Sequence, residues 1–291
     1  MKLGHRRPPA ARQNKTARRL AQGNCQNPFD PGNYKSPSST ILVQHIEDPS
    51  IFTFYNSTTQ ILRSGHLTWV FHHGEDCCFV IRPSRGKDVV EEFLGDVRPD
   101  FWVSDRLAAQ MGWAKRDNQV CLAHLIRDAQ YAIDAGDTAF APGLRKLLQR
   151  ACGIGRRRDG LADTTLRAYG YQLDAKLDAL LRITPTHAAG KKLQRVIKGC
   201  RRHLFVFLAD RAIPPTNNGS EQALRPCVIF RKVTNCFRSQ WGASLYADIR
   251  SVIETARRRA IGVLDAIRST LNGLPLAESP DVPTAVPYPS G

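Results

Sequence analysis

The sequence lacks any apolar run long enough to span a membrane, which would need about 20 consecutive apolar residues. Its apolar residues make up 42% of the chain but are divided among short segments. The basic N-terminus, MKLGHRRPPAARQNKTARRLAQG, also lacks the apolar core of a secretory signal. These absences predict a cytoplasmic chain with no membrane segment.

Cysteine pairs at regular spacing are also missing. The eight cysteines are scattered through 291 residues, without the dense pattern of a small disulfide scaffold. This distribution favours reduced thiols, and the adjacent Cys77 and Cys78, which lie within an apolar run, are predicted to pack in a core.

Acidic residues are scarce relative to basic ones. The chain has 26 Asp and Glu against 42 Lys and Arg, a formal net charge of +16. A positive field of this size attracts polyanions, and nucleic acid is the usual polyanion for such a protein. Solubility alone, or an anionic membrane surface, remains open as an alternative explanation of the charge.

The segment from residue 50 to about 125 has the pattern of an α/β fold. β-branched and aromatic runs separated by turn residues predict three neighbouring antiparallel strands: IFTFYNS, QILRSGHLTWVFHH and CCFVIRPS. A short helix, VVEEFLG, and two further strands, in DFWVSD and NQVCLAHL, follow. Because the last strand continues into a helix, we expect a sheet layered with helices.

The segment 126–211 is predicted to be helical and strongly basic. Residues 141–211 contain sixteen Lys and Arg, five Asp and no Glu, a net charge of +11. In KKLQRVIKGCRRHLFVFLAD, apolar residues at helical spacing form one predicted core stripe: Leu193, Val196, Ile197, Cys200, Leu204, Phe207 and Leu208. The opposite faces are the predicted phosphate-contacting surface, with Arg156, Arg157, Arg158, Lys191, Lys192, Arg201 and Arg202.

Two carboxylates occupy positions suited to chemistry. Asp105 ends the apolar strand WVSD, where ligands are often bound at the mouth of a sheet. Glu221 follows the helix-starting word PPTNNGS. Each also has a simple structural explanation, since Asp often caps a turn and Glu favours the first turn of a helix.

Together with the sequence motifs around them, these two residues give a more specific indication of function. The stretch PPTNNGSEQALRPCVIFRKVTNCFRSQWGASLYADIRSVIETARRR resembles the C-terminal catalytic signature of insertion sequence 66 family transposases. The words VIRPSRGKDVVEEFLG, VSDRLAAQ and CLAHLIRDAQ resemble the same family in the same order. The resemblance covers roughly residues 66 to 272.

The resemblance implies a DDE transposase with a ribonuclease-H-like mixed-sheet core and an inserted, mostly helical subdomain. It implies that Asp105 is the second catalytic acid, that Glu221 is the third, and that both are metal ligands. The implied cofactor is Mg²⁺ or Mn²⁺, held by converging carboxylates for in-line phosphoryl displacement. The implied partners are DNA, at the element's ends and its target, and further copies of the chain, in the bacterial cytoplasm near the nucleoid.

The sequence departs from this family at its first acid. The family has an Asp-Glu-Thr-like word on the first strand, and this register falls here on Tyr55, Asn56, Ser57 and Thr58, without an acid. In this register, Asn56 is the nearest isostere of the missing acid. Asp48 and Asp76 are the other candidates for the first acid, and Glu47 lies upstream beside Asp48. The family's N-terminal recognition segments are missing too. Both losses are expected of a truncated or degenerate copy.

Cys121 and His124 form a C-x-x-H word beside the predicted acids. A tetrahedral zinc site would need two further ligands, and no C-x-x-C pair lies nearby. We therefore favour packing or hydrogen bonding for both residues. The resemblance implies that His124 approaches the scissile phosphate as part of the catalytic site. His72 and His73 are interpreted as strand-end histidines.

Further basic residues are candidates for contact with DNA. They are Arg225, Arg231, Lys232 and Arg238 after Glu221, and Arg201 and Arg202 in the helical segment. Asn217 and Asn218 are predicted to cap the helix of Glu221. Trp241 is predicted to be packed, with base stacking as the alternative, and Trp241–Gly242 is predicted to form a turn.

The sequence predicts five regions: a basic, disordered segment at 1–49, the first core part at 50–125, a helical insertion at 126–211, the second core part at 212–272 and a Pro-rich, disordered tail at 273–291. Two functions remain open for them. One is metal-dependent DNA cleavage and strand transfer, and the other is DNA binding by a non-catalytic remnant. An RNA-binding function is less consistent with the sequence, since the sequence contains no motif of an RNA-binding module.

Overall fold

A mixed five-stranded sheet lies at the centre of the fold. The computed structural model describes residues 51–61, 64–105, 112–234 and 237–278. The strands are β1 (Ile51–Ile61), β2 (Ser64–His73), β3 (Asp76–Arg82), β4 (Phe101–Ser104) and β5 (Asp117–Val120). They are arranged in the order β3-β2-β1-β4-β5.

The strand directions follow from the connections. β1, β2 and β3 are consecutive antiparallel strands, which confirms the sequence prediction. Gly74, with a φ of 52°, supplies the positive dihedral angle that the two-residue turn between β2 and β3 requires. β4 runs parallel to β1, and β5 runs parallel to β4.

Eight α-helices surround the sheet in the described part of the chain. They are α1 (Asp88–Leu94), α2 (Leu122–Asp134), α3 (Ala141–Arg156), α4 (Asp163–Leu181), α5 (Ala188–Cys200), α6 (Asn218–Thr234), α7 (Gln240–Arg258) and α8 (Val263–Leu271). None of these described helices combines the length and the apolar character of a membrane span.

The two faces of the sheet pack against different helices. On one face, Trp69, Phe71 and Trp102 form a core with Val90 and Leu94 of α1. The opposite face has two clusters. Val70, Phe79 and Ile81 contact α6 and α7, while Phe101 and Val103 join the core formed by α2 to α5.

Helix α7 covers the outer edge of β3 with two buried hydroxyl groups. The amide of Cys77 donates to Thr255 Oγ1 at 3.1 Å, and the amide of Phe79 donates to Ser251 Oγ at 2.8 Å. A buried backbone amide without an acceptor costs free energy comparable to a lost hydrogen bond. Ser251 and Thr255 therefore complete the sheet edge from outside the sheet.

The helical segment is stabilised at one end by a fully buried carboxylate. Asp137 accepts from the Ala141 amide at 2.7 Å, from the Thr186 amide at 2.7 Å and from the Thr186 hydroxyl at 3.0 Å. A Cβ atom on Gly190 would lie 2.4 Å from the Asp137 carboxyl carbon. Asp137 thus joins the loops before α3 and α5, and α5 packs directly on it.

The helical spacing predicted for residues 191–210 does not correspond to one continuous α-helix. Helix α5 ends at Cys200, and 3₁₀ turns follow at Arg201–His203 and Val206–Leu208. The buried amide of Gln119 explains the break, because it donates to the Leu204 carbonyl at 2.9 Å and accepts from the Phe207 amide at 3.1 Å. The apolar stripe is nevertheless packed in the core, with Val196 at its margin.

Several predictions concern segments outside the described residues: the disordered segment 1–49 with Glu47 and Asp48, and residues 279–291 of the tail. The start of the tail is described, and it is anchored. Arg259 donates to the carbonyls of Leu276 at 3.2 Å and Ala277 at 2.9 Å, and the Leu276 side chain packs against two core clusters.

Candidate acid site

Asp105 lies immediately after β4, at the carboxyl end of a strand whose four residues are all buried. Its own side chain is partly exposed. The amide of Cys121, which follows β5, donates to the Ser104 carbonyl at 2.8 Å. The ends of β4 and β5 are thereby joined, so that Asp105 lies beside the start of α2.

Cys121 and Leu122 of the C-x-x-H motif hydrogen-bond to the chain segment that precedes α6. The amide of Leu122 donates to the Pro215 carbonyl at 3.0 Å, and the amide of Asn217 donates to Cys121 Sγ at 3.4 Å. Burial raises the pKa of the Cys121 thiol, which keeps it protonated near neutral pH. Cys121 therefore acts as a buried acceptor that positions the beginning of α6.

Glu221 lies in the first turn of α6. The carbonyl of Asn217 accepts from the amides of Ser220 at 3.0 Å and Glu221 at 3.2 Å, and it thereby opens the helix. The positive end of the helix dipole favours a carboxylate at this position. The Glu221 side chain is 27% exposed, so its oxygen atoms remain accessible to solvent.

His124 and Arg127 of α2 both contact Glu221. Arg127 Nη2 lies 2.8 Å from Glu221 Oε1, and His124 Nε2 lies 3.5 Å from the same oxygen. Burial and the neighbouring guanidinium of Arg127 lower the pKa of His124, against the opposing effects of Glu221 and Asp105. His124 therefore lies within the electrostatic reach of both predicted acids.

The backbone register defines the place of the missing first acid. Asn56 pairs with Trp69, which belongs to the face covered by α1, whereas Tyr55 pairs with Val70, which belongs to the face covered by α6. Directly paired residues share a face of the sheet. The backbone register therefore assigns position 56 to the face covered by α1 and position 55 to the face covered by α6, the helix of Glu221.

The described side chains do not complete a metal site. Asp76, one of the candidate first acids, forms an ion pair with Arg259 at 2.6 Å. Among the residues that the structure describes, no group of three or more His, Cys, Asp or Glu is arranged to hold a metal ion. Asp105 and Glu221 have the oxygen ligands that Mg²⁺ prefers, but two carboxylates fall short of the predicted set of three.

The predicted DNA-contacting cations fall into two groups. Arg225, Lys232 and Arg238 are exposed, and Arg231 is partly buried. In contrast, Arg201 forms an ion pair with Asp178 at 2.6 Å, and Arg202 donates to His203 Nε2 at 3.0 Å.

The predictions for Trp241 are wrong. Trp241 and Gly242 lie in the first turn of α7, which begins after Ser239, whose hydroxyl accepts from the Gly242 amide at 3.1 Å. The Trp241 side chain is 56% exposed rather than packed. Together with Leu245 and Ile249 it forms an exposed stripe, because α7 buries its small residues against β3.

Two arginines that shape the site were not predicted from the sequence. Arg127 lies three residues after His124, a spacing that places both on one helix face. Arg258 contacts His72 and Glu254, and it donates to the Gly219 carbonyl at 3.2 Å. Burial and Arg258 lower the pKa of His72 to about 3, so this histidine is a neutral acceptor. Only the Arg127 spacing could have been noticed from the sequence.

Replacing Arg127 by glutamine is expected to raise the affinity of the chain for Mn²⁺ about fivefold. The reason is that Glu221 loses a half-exposed ion pair of roughly 1 kcal/mol that competes with a metal ion. Isothermal titration calorimetry with Mn²⁺ measures the change. Arg225→Gln, which removes an equal charge from α6, is the control. Equal affinities for wild type and Arg127→Gln would show that the pair does not compete.

The comparison with known protein families agrees with the motifs. The model of the family described as "Transposase IS66 family" matches residues 57–245. The match begins within β1 and ends within α7, so it includes Asp105, the helical segment and Glu221. No curated protein matches the chain. Because the family match extends over more than half of the sequence, the chain belongs to the IS66 family of transposases.

Proposed function

We propose that the chain is the DNA-cleaving and strand-transferring core of an IS66-type transposase, with Asp105 and Glu221 as two of its metal-binding acids. The observation that carries this proposal is the position of both acids at the start of α2: Asp105 follows the strand that the Cys121 amide joins to it, and His124 Nε2 lies 3.5 Å from Glu221 Oε1. One acid follows a central strand and the other begins a helix, with the helical segment between them in the sequence. This arrangement suits a phosphoryl-transfer site whose ligands come from separate elements.

The sheet supports a ribonuclease-H-like core. Three antiparallel strands are followed by two strands parallel to the first, in the order β3-β2-β1-β4-β5. Asp105 lies at the carboxyl end of the strand next to β1, and α6 with Glu221 packs across β1 and β2. The central strand β1 therefore adjoins the strand that precedes Asp105 and the helix that carries Glu221, which is consistent with a core of this type.

The surface of α6 supports a role for DNA. Arg225 and Lys232 follow Glu221 by four and eleven residues, which places all three on one face of the helix at 3.6 residues per turn. Both cations are exposed. A DNA strand bound along this face through its phosphates would extend to the acid site.

Bound divalent cations would supply charge neutralisation and an activated oxygen nucleophile for the displacement. The chain's own contribution is the positioning of Glu221 by His124 and Arg127. In the presence of DNA, the exposed guanidinium of Arg127 is also suited to bind a phosphate oxygen beside the two acids. Pairing of two element ends further requires at least two copies of the chain.

A non-catalytic DNA-binding protein is the second candidate function. It is favoured by the ion pair between Arg127 and Glu221, together with the incomplete acid set among the described residues. A guanidinium on the third acid neutralises the negative charge that would otherwise attract a metal ion. Such a chain would still bind element ends, and it could enter mixed assemblies with a complete transposase.

A nicking and strand-transfer assay separates the two functions. The full chain is incubated with Mg²⁺ or Mn²⁺ and DNA carrying the ends of the element from which the gene derives. We expect nicked and joined products that disappear in Glu221→Gln, because the amide cannot neutralise a metal ion. DNA retention without products, in wild type and variant alike, would contradict the catalytic proposal and support the binding protein.

A further inference from the structure

Helix α5 presents a continuous cationic face to solvent. Lys191, Arg195 and Lys198 recur at i, i+4 and i+7, with Lys192 beside them, and all four are exposed. The opposite side of the helix is buried through Gly190, Leu193, Ile197 and Cys200. No acidic residue occurs within α5, so the helix is apolar on one side and purely basic on the other.

Most other cations of the helical segment are engaged within the chain. Arg201 pairs with Asp178 at 2.6 Å and Arg211 pairs with Asp163 at 2.5 Å, while Arg158 donates to the Ile213 carbonyl at 2.6 Å. In the described part of the chain, no hydrogen bond or ion pair involves the side chain of Lys191, Lys192, Arg195 or Lys198. Helix α5 therefore carries four exposed cations that are available to an external partner, together on one short helix.

The cationic face is held in a fixed orientation. Gly190 packs on the Asp137 carboxylate, and Gln194 Nε2 donates to the carbonyls of Leu181 at 3.2 Å and Ile183 at 2.7 Å. These contacts prevent α5 from rotating about its axis. A rigid binding surface loses less conformational entropy on association than a mobile one.

The length of the face matches a short stretch of DNA backbone. From Lys191 to Lys198 the helix rises about 10 Å. Duplex DNA carries one phosphate per roughly 3.4 Å of axis on each strand, so the face spans about three phosphates of one strand. The side chains are long and flexible, which lets neighbouring cations reach successive phosphates.

We propose that α5 is a docking surface for the phosphate backbone of duplex DNA, with Lys191, Lys192, Arg195 and Lys198 as its contact residues. The inference rests on the proposed function and deepens it, because it assigns DNA retention to a helix outside the acid site. The contacts are to phosphates rather than bases, so the surface binds duplex DNA irrespective of its sequence.

The test is the salt dependence of DNA binding by the full chain in EDTA, where cleavage cannot occur. Fluorescence anisotropy with a labelled duplex gives Kd between about 0.05 and 0.2 M KCl. Each phosphate contact contributes about 0.9 to the slope of log Kd against log salt concentration. We expect the slope to fall by about three, and Kd to rise at least tenfold, in the variant carrying Lys191→Gln, Lys192→Gln, Arg195→Gln and Lys198→Gln.

The matched control removes four exposed cations from α3 and α4, through Lys146→Gln, Arg150→Gln, Arg167→Gln and Lys176→Gln. We expect its slope to change by less than one. Equal losses in both variants would overturn the proposal in favour of net charge alone, and an unchanged slope in the α5 variant would overturn it directly. Circular dichroism melts confirm that both variants fold.

The two proposals fail in different ways. If the α5 variant keeps the wild-type slope but nicking depends on Glu221, the proposed function stands and the docking surface is wrong. If wild type binds no duplex at any salt concentration, the docking surface and the proposed function both fail. If the slope falls as expected while no nicking occurs, α5 binds DNA in a non-catalytic protein.

Discussion

Replacing Tyr55 by aspartate is expected to give the chain a Mn²⁺ affinity at least tenfold above that of wild type, whereas Asn56→Asp leaves it unchanged. Successive residues of a strand belong to opposite faces of a sheet. Position 55 pairs with Val70 on the face covered by α6, and position 56 pairs with Trp69 on the other face. An added carboxylate at position 55 is therefore expected on the sheet face that is covered by α6, the helix of Glu221.

Calorimetric titration with Mn²⁺ measures this gain, and metal-site partners commonly change affinity by about 10- to 100-fold. Asn56→Asp is a stringent control, because it introduces the same carboxylate one residue away on the opposite face. Adding Glu221→Gln to Tyr55→Asp should abolish the gain. A larger effect of Asn56→Asp than of Tyr55→Asp would mean that the register argument is wrong.

Replacing Asp137 by asparagine is expected to destabilise the folded chain by about 3 kcal/mol at neutral pH. Burial alone would raise the pKa of the Asp137 carboxyl, but hydrogen bonds from Ala141 and Thr186 outweigh it and hold the pKa below its ordinary value. A buried carboxylate with several donors contributes roughly 1.5–3 kcal/mol per hydrogen bond to its charged form. The side-chain NH₂ group of asparagine is itself a donor, and it would face one of the groups that donate to Asp137.

The pH dependence follows from the direction of this shift. Because the pKa of Asp137 is lower in the folded chain than the roughly 3.9 of an unfolded chain, its contribution is fully present above the unfolded pKa. It is lost as the pH falls through the folded pKa. The difference in unfolding free energy between wild type and Asp137→Asn should stay constant from about pH 7 to about pH 5 and shrink below about pH 4.

Urea denaturation at each pH measures the free energy of unfolding of both chains. Asp134→Asn is the matched control, since it removes the same charge from an exposed carboxylate three residues away, which accepts from Gln130 Nε2 at 2.7 Å. Its expected cost is below about 0.5 kcal/mol. Similar costs for the two variants would show that the hydrogen bonds of Asp137 do not stabilise the fold.

Local sequence patterns predicted much of the fold. The β-branched and aromatic runs between Ile51 and Arg82 predicted the antiparallel strands, because such residues fit a sheet with two covered faces. The helix before residue 200 was predicted from apolar spacing. Its end was not, because the break depends on Gln119, which takes the backbone groups of Leu204 and Phe207 from about 85 residues away in sequence.

The exposure of Trp241 shows another limit of periodicity. Helix α7 has two faces with regular spacing. One carries large apolar side chains, and the other carries small side chains, some of them with hydroxyl groups. From the sequence, the large side chain of Trp241 was expected in the core. The close approach of α7 to β3 selects Ala247, Ser251 and Thr255 instead, because small side chains let their hydroxyls reach the strand amides.

The contacts around the two predicted acids could not be derived from the sequence. Asp105 and Glu221 were identified from motifs, whereas the contact of Arg127 with Glu221 required the loop before α6 to be held against Cys121 and Leu122. These contacts join residues about 95 positions apart, and no local pattern encodes them. The same holds for the face of Asn56, which only the pairing with β2 could define.

The hydroxyls of Ser251 and Thr255 also restrict how two copies of this chain can associate. An open strand edge invites strand addition by a second molecule, which would extend the sheet across the pair. Along β3 the amides of Cys77 and Phe79 are already bound by α7. The outer edge of β3 is therefore closed to strand addition at these two amides, and any association between copies would use other surfaces or DNA.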